Sequence, residues 1–150
     1  MIETRPLFQI SAEVADPQIT PGGPVGDRRF IPVTGGTFKG ERLRGKMLSG
    51  GSDCQLVRTD GVADLDVRVT LQCDDGAIIY MKGLGMRHGP AEVMQRVAAG
   101  EDVDPSEYYF REAIMFEAPP GPYEWLNKVL AIGKGWRGPN SVIIDAFEVL

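Results

Sequence analysis

Asp53, Arg111 and Asn127 are the side chains of this 150-residue chain whose chemistry best suits proton transfer. A carboxylate taken out of water holds its proton more tightly and becomes a stronger general base, which is the role expected of Asp53. A guanidinium and an amide can stabilise negative charge as it develops on a substrate, the role expected of Arg111 and Asn127. Tyr80 or Tyr108 could return the proton. Asp66, Arg68 and Glu117 add charge that could orient a ligand, and Trp125 offers an apolar floor for stacking. Such a set points to an isomerisation, elimination or cyclisation of a small, partly apolar organic compound, run without a cofactor. The alternative is a carrier that binds a small metabolite and transforms nothing.

The elements that must position these residues read mostly as strands. Phe8, Ile10, Ala12 and Val14 alternate with Gln9, Ser11 and Glu13, which is the period of a half-buried strand. Residues 16–27 read as a Pro- and Gly-rich loop, and Arg29 to Val33 as a short strand. Phe38 to Leu48 reads as a strand that bends at Gly50-Gly51, where adjacent glycines signal a bulge or a close backbone approach. That bend could aim Asp53 into a cavity. Gln55 to Arg58 follows, and Asp60-Gly61 marks a turn. Leu65 to Cys73 alternates without a break and is joined through Asp75-Gly76 to Ala77–Gly83 as an antiparallel hairpin. Tyr108 to Glu117, Lys128 to Ile132 and Ser141 to Val149 supply three more strands. Pro90 to Gly100 reads as the one helix, with Val93, Met94 and Val97 on one face, and Pro122 to Asn127 as a helical turn. Eight or more strands joined by turns, with one short helix, predict a mainly β fold and an antiparallel barrel. Barrels of this size are either filled by side chains or hold one small ligand.

Two faces carry the functional question. Asp66, Arg68, Thr70 and Gln72 form either the wet outer wall or a charged inner one. Arg111 shares a face with Ala113, Met115 and Glu117, whereas Phe110, Ile114 and Phe116 share the other. A guanidinium inside a barrel needs a carboxylate partner or an anionic ligand, because an unpaired buried charge costs several kcal/mol.

Other chemistries find little footing. Gly40, Gly45 and Lys46 have the spacing of a phosphate loop, but Met47 stands where magnesium needs Ser or Thr, in a strand context. Gly83-Leu84-Gly85 lacks the third glycine and the βαβ setting of a dinucleotide fingerprint. No Gly-x-Ser-x-Gly elbow occurs. His88 is the only histidine and lies at no metal-ligand spacing, so no metal is expected. The net charge of −5 argues against nucleic-acid binding. No apolar stretch approaches the length of a membrane helix, and no leader pattern opens the chain, so a cytoplasmic location is expected. Cys54 and Cys73 then remain thiols. The length of 150 residues fits one domain, and 43% hydrophobic with 25% charged residues is ordinary for a globular protein. An incomplete barrel would expose strand edges and favour a homodimer.

Several segments together resemble a known family. They are Gly45 to Asp53 with its Gly-Gly-Ser-Asp, Asp60-Gly61 followed by Leu65-Asp66-Val67-Arg68, and Asp75-Gly76-Ala77-Ile78-Ile79-Tyr80. Tyr108-Tyr109-Phe110-Arg111, Phe116-Glu117 and Trp125-Leu126-Asn127 continue the series. Their order and spacing are similar to the bacterial and fungal family catalogued as domain of unknown function 3237. The resemblance spans nearly the whole chain and implies a compact antiparallel β-barrel in the broad manner of lipocalin-like or calycin-like folds, with no generally assigned activity. An aromatic residue often follows the family's aspartate at the position of Asp53; here Cys54 stands there instead.

Overall fold

In the computed structural model, which describes every residue except Pro139, ten strands curl into one antiparallel sheet. They are β1 (Thr4–Val14), β2 (Gln18–Gly23), β3 (Gly26–Lys39), β4 (Arg44–Met47), β5 (Ser52–Val57), β6 (Ala63–Cys73), β7 (Ile78–His88), β8 (Tyr109–Glu117), β9 (Ala131–Arg137) and β10 (Val142–Val149). The helix α1 (Ala91–Ala98) and a short 3₁₀ turn at Pro105–Glu107 link β7 to β8; a second 3₁₀ turn, Glu124–Lys128, links β8 to β9. Because β1 pairs with β10 on one side and with β3 on the other, the sheet closes. The fold is therefore a mainly β, closed antiparallel barrel with one α-helix. Among the described residues it has eight lanes, one of them shared by β4 and β5, which both pair with β3 and β6.

That shared lane explains the glycine pair. Met47 stands opposite Leu71 of β6, and Ser52 opposite Arg68, so two extra residues are accommodated between the two halves of the lane. Gly50 takes a φ of 104°, and a Cβ on Gly51 would lie 2.5 Å from the Arg68 carbonyl oxygen. An even insertion preserves the alternation of faces. Met47 and Asp53 consequently both point into the barrel.

Three segments differ from the sequence expectation. Residues 18–23, expected within a loop, form β2 and extend β3 as a hairpin. More importantly, β7 continues past Gly83 to His88, and β9 runs from Ala131 to Arg137 rather than ending at Ile132. Gly83, Gly85, Gly133 and Gly135 break the apolar alternation that marks a strand. They are bare because neighbouring atoms fill their space, side chains at Gly83, Gly133 and Gly135 and backbone at Gly85: a Cβ on Gly135 would come within 2.5 Å of the Phe110 ring.

The barrel interior has two halves. One is packed solid by Leu71, Ile79, Met81 and Phe38, with Phe8 set edge-on to Phe38 and Phe116 at 5.7 and 5.8 Å. Leu126, fully buried, anchors the second 3₁₀ turn at that end. The other half holds a cavity. No described helix is long and apolar enough to cross a membrane. Cys54 and Cys73 are both free thiols.

The packing at Gly135 makes a direct prediction. Gly135→Ala should lower stability by about 1–3 kcal/mol through overpacking against Phe110, and Phe110→Leu added to it should recover part of the loss. Chemical denaturation of the two variants checks this; an unchanged midpoint for Gly135→Ala would refute the packing argument.

Candidate functional site

The cavity lies between β1 and β3 to β10, and about 70 Å³ of it is open to the centres of water-sized molecules. One buried water needs about 10–15 Å³ by the same measure, so the space suits a small molecule rather than a lone water. Its walls are largely aliphatic, from Ala12, Val33, Leu65, Val67, Val69 and Ile144. Five polar side chains interrupt them: Asp53, Gln55, Arg87, Glu112 and Arg137.

Asp53 is fixed by two donors. The Asp66 backbone N–H donates to Oδ1 at 3.0 Å, and Gln55 Nε2 donates to Oδ2 at 3.2 Å. Burial raises its proton affinity above the ordinary aspartate value; the two hydrogen bonds and the charge of Arg87 oppose this without cancelling it. Gln55 is 1% exposed, and its Oε1 has no hydrogen-bond partner among the described residues.

Glu112 is the most unusual group in the molecule. It is 4% exposed, and its Oε2 has no hydrogen-bond partner among the described residues. Register places Gly85 on one side of it and Gly133 on the other. Nearby Gly83 is equally bare: a Cβ there would lie 2.8 Å from Glu112 Oε2. Burial, with a smaller contribution from the negative charge of Asp53, pushes the Glu112 carboxyl up to about 8. At neutral pH it therefore carries a proton while Asp53 is held by donors that favour its ionised form.

Glu148 shows what compensation looks like in the same fold. Burial acts on it too, but Arg5 and Arg42 reach its Oε2 at 2.7 and 2.6 Å and hold it below the ordinary glutamate value. Glu112 has no such partner among the described residues.

Of the residues singled out from sequence, Asp53 lines the cavity, and Tyr108 lies beside one of its lining residues: the buried phenol oxygen accepts from the Arg137 backbone N–H at 2.9 Å. The others lie elsewhere. Arg111 projects from the outer face of β8, where its Nη1 donates to the Phe110 carbonyl and its guanidinium lies 5.0 Å from the Tyr109 ring. Asn127 clamps a loop through two hydrogen bonds to the Ala118 backbone. Asp66 and Arg68 pair with each other at 3.1 Å on the outer wall, and Tyr80 stands opposite Glu117 on the outer face of β7 and β8. Trp125 stacks under Arg42 at 4.0 Å, at the packed end. The placement thus separates Asp53 from Arg111 and Asn127. A proton-transfer role for those two would have to act from outside the cavity.

Arg87, Glu112 and Arg137 escaped the sequence reading, each with a traceable signal. Glu112 interrupts the otherwise apolar face Phe110, Ile114, Phe116. Arg87 and Arg137 follow the glycine pairs Gly83/Gly85 and Gly133/Gly135 at the same spacing of two, on strands whose ends the glycines obscured. Among the described residues no group of three or more His, Cys, Asp or Glu is placed to hold a metal ion.

The state of Glu112 can be read from stability. Its folded-state proton affinity lies above that of the unfolded chain, so the folded protein binds the extra proton and stability falls as pH rises from about 4.5 to about 8. Glu112→Gln removes this slope. The stability difference, Glu112→Gln minus parent, should grow across that window and flatten above it, as measured by urea midpoints from pH 5 to 9. A pH-independent difference would show that Glu112 is not an uncompensated buried acid.

Comparison with known proteins agrees with this architecture. Residues 2–149 match the protein family of unknown function DUF3237. A curated relative from Rhodopseudomonas palustris, called a UPF0311 protein, is 39% identical over 151 residues, covering 99% of this chain and 97% of its own. A crystal structure of a conserved protein of unknown function from Rhodopseudomonas palustris superimposes with a TM-score of 0.95 at 36% identity, covering 100% of this chain and 99% of that one. A β-barrel-like protein from Acinetobacter baumannii superimposes with a TM-score of 0.86 at 41% identity, covering 100% and 97%. An enzyme from Penicillium herquei shares the fold at a TM-score of 0.75, with 19% identity over 99% of this chain and 95% of its own. The chain belongs to the DUF3237 family.

Proposed function

We propose that this member of the family is an acid–base enzyme acting on a small, partly apolar organic compound inside the barrel. One observation carries the reading: two carboxyl groups line a single aliphatic cavity, and although burial raises the proton affinity of both, their hydrogen bonding separates them, with two donors that favour the ionised form on Asp53 and no partner among the described residues for Glu112 Oε2. Pairs of titratable groups separated in this way divide into an acid and a base at one pH. Asp53, oriented by the Asp66 N–H and the Gln55 amide, takes the proton. Glu112, neutral at pH 7, donates a hydrogen bond or a proton to an oxygen on which charge develops. Arg87, also lining the cavity, stabilises that charge electrostatically in a setting of low dielectric. The chemistry this supports is proton abstraction next to a carbonyl, with isomerisation, elimination or ring closure as the outcome. The distant fungal neighbour described as an enzyme is compatible with a catalytic use of the same barrel.

Deuterium incorporation tests the reading on a whole class of substrates at once. A panel of small enolisable carbonyl compounds is incubated with protein in D₂O and followed by proton NMR. The protein should accelerate exchange for at least one compound, and Asp53→Asn, folded to the same melting temperature within a few degrees, should lose about 10²–10⁴ of that rate. Exchange no faster than buffer across the panel, or an unchanged rate in Asp53→Asn, would overturn the reading in favour of a binding protein.

A further inference from the structure

The polar end of the cavity carries more positive charge than its own carboxylates can balance. Arg87 and Arg137 line the cavity. Arg29 stands opposite Gln55 in the β3–β5 register and so on the same inward face. The three are close enough to repel one another: burial, then the charges of Arg29 and Arg137, lower the proton affinity of the Arg87 guanidinium, against the favourable charge of Asp53. Guanidinium nevertheless stays protonated in proteins. Among the described residues none of the three forms a salt bridge, although seven such pairs occur elsewhere on the molecule. The Arg29 Nε is shut off from solvent and has no hydrogen-bond partner among the described residues. Arg29 and Arg87 are half-buried and Arg137 is exposed; even with Asp53 fully ionised, the two half-buried guanidinium groups leave an excess of one positive charge, and Arg137 adds another from its exposed position. This concentration occurs in a chain whose net charge is −5.

Like charges are not gathered around a low-dielectric space without a counter-charge to offset their repulsion and desolvation. The packed end of the barrel solves the same problem internally, where Glu148 accepts from both Arg5 and Arg42. At the cavity end the counter-charge has to come from outside. We infer that the cavity takes a small organic carboxylate, its anionic group held by Arg29, Arg87 and Arg137 and its carbon skeleton lying against the aliphatic wall toward Asp53 and Glu112. A planar carboxylate matches the fork of a guanidinium and can accept from two of them at once. Glu112 Oε2 and Gln55 Oε1, both without a hydrogen-bond partner among the described residues, are left to meet the polar atoms of the skeleton. This inference rests on the reading of the cavity as an active site but concerns what enters it, and it is tested by binding alone.

The probes are acetate, propionate and benzoate, each titrated calorimetrically against its uncharged amide. At least one carboxylate should bind about tenfold or more tightly than its amide, the worth of one charge-assisted hydrogen bond or more. The preference should weaken with added salt and disappear in Arg87→Gln, and in Arg137→Gln or Arg29→Gln should Arg87→Gln fail to fold. Asp53→Asn, which removes a repelling negative charge, should bind the same carboxylate as tightly or more tightly, whatever happens to turnover. Carboxylates that bind no better than their amides, or a preference untouched by the arginine substitutions, would overturn the inference. Loss of exchange chemistry with carboxylate binding intact would instead count against the catalytic reading alone.

Discussion

Closing a sheet on itself sends every second side chain into a space it cannot leave, and the rest of this molecule follows from that parity. Alternation puts Leu65, Val67, Val69 and Leu71 of β6 inside and Asp66 and Arg68 outside. It also leaves no freedom over Glu112: once Phe110, Ile114 and Phe116 are committed to the interior, the residue between them at the same parity must enter as well. An ionisable group is thereby held in apolar surroundings by the register of a whole strand. The cost of burying it falls on the fold as a raised proton affinity rather than as a displaced side chain. The glycine pair at 50–51 obeys the same rule, since inserting two residues rather than one keeps Asp53 on the inner face.

The two ends of the barrel handle buried charge in opposite ways. Near the chain termini Glu148 is matched by Arg5 and Arg42, Arg42 lies over Trp125, and Leu126 fills the space beneath. Glu148 is thus matched by two arginines there, and aromatic and aliphatic side chains pack the barrel interior beside it. At the other end acids and guanidinium groups share a cavity without an ion pair among the described residues, and buried oxygens on Gln55 and Glu112 find no hydrogen-bond partner there. Buried polar atoms without partners are uncommon in folded proteins, and their concentration in one place marks where stability has been given up. The filled half supplies the rigidity that lets the open half hold such a set.

Sequence alone carried the architecture further than the site. Alternation and turn residues were enough for the barrel because Leu65–Cys73 and its hairpin partner are regular, and because Gly50-Gly51 breaks one lane in a recognisable way. The site depended on telling inside from outside on each strand, and alternation does not label its own faces. Arg111 and Glu112 are neighbours, and assigning one to the interior expels the other; the aromatic residues at 110 and 116 settle the parity in favour of Glu112. Asn127 and Trp125 belong to a loop whose contacts are long-range and leave no local pattern. Arg87 and Arg137 were hidden by glycines that lower strand propensity and are required by the close approach of side chains and backbone on the adjacent strands.

Those hidden glycines bear on function as well as on folding. Gly83, Gly85 and Gly133 surround Glu112 on the neighbouring strands, where a Cβ would come within about 3.0 Å of Glu112 or of other atoms of the adjacent strands. Side chains at these positions would displace their neighbours, so the close approach of the strands around the buried carboxyl requires glycine there. The bare floor beneath Glu112, the unpaired guanidinium groups above it and Asp53 held by the Gly50-Gly51 lane therefore act together. The cavity opens among guanidinium groups that form no salt bridge among the described residues, and a ligand that fills it can neutralise them.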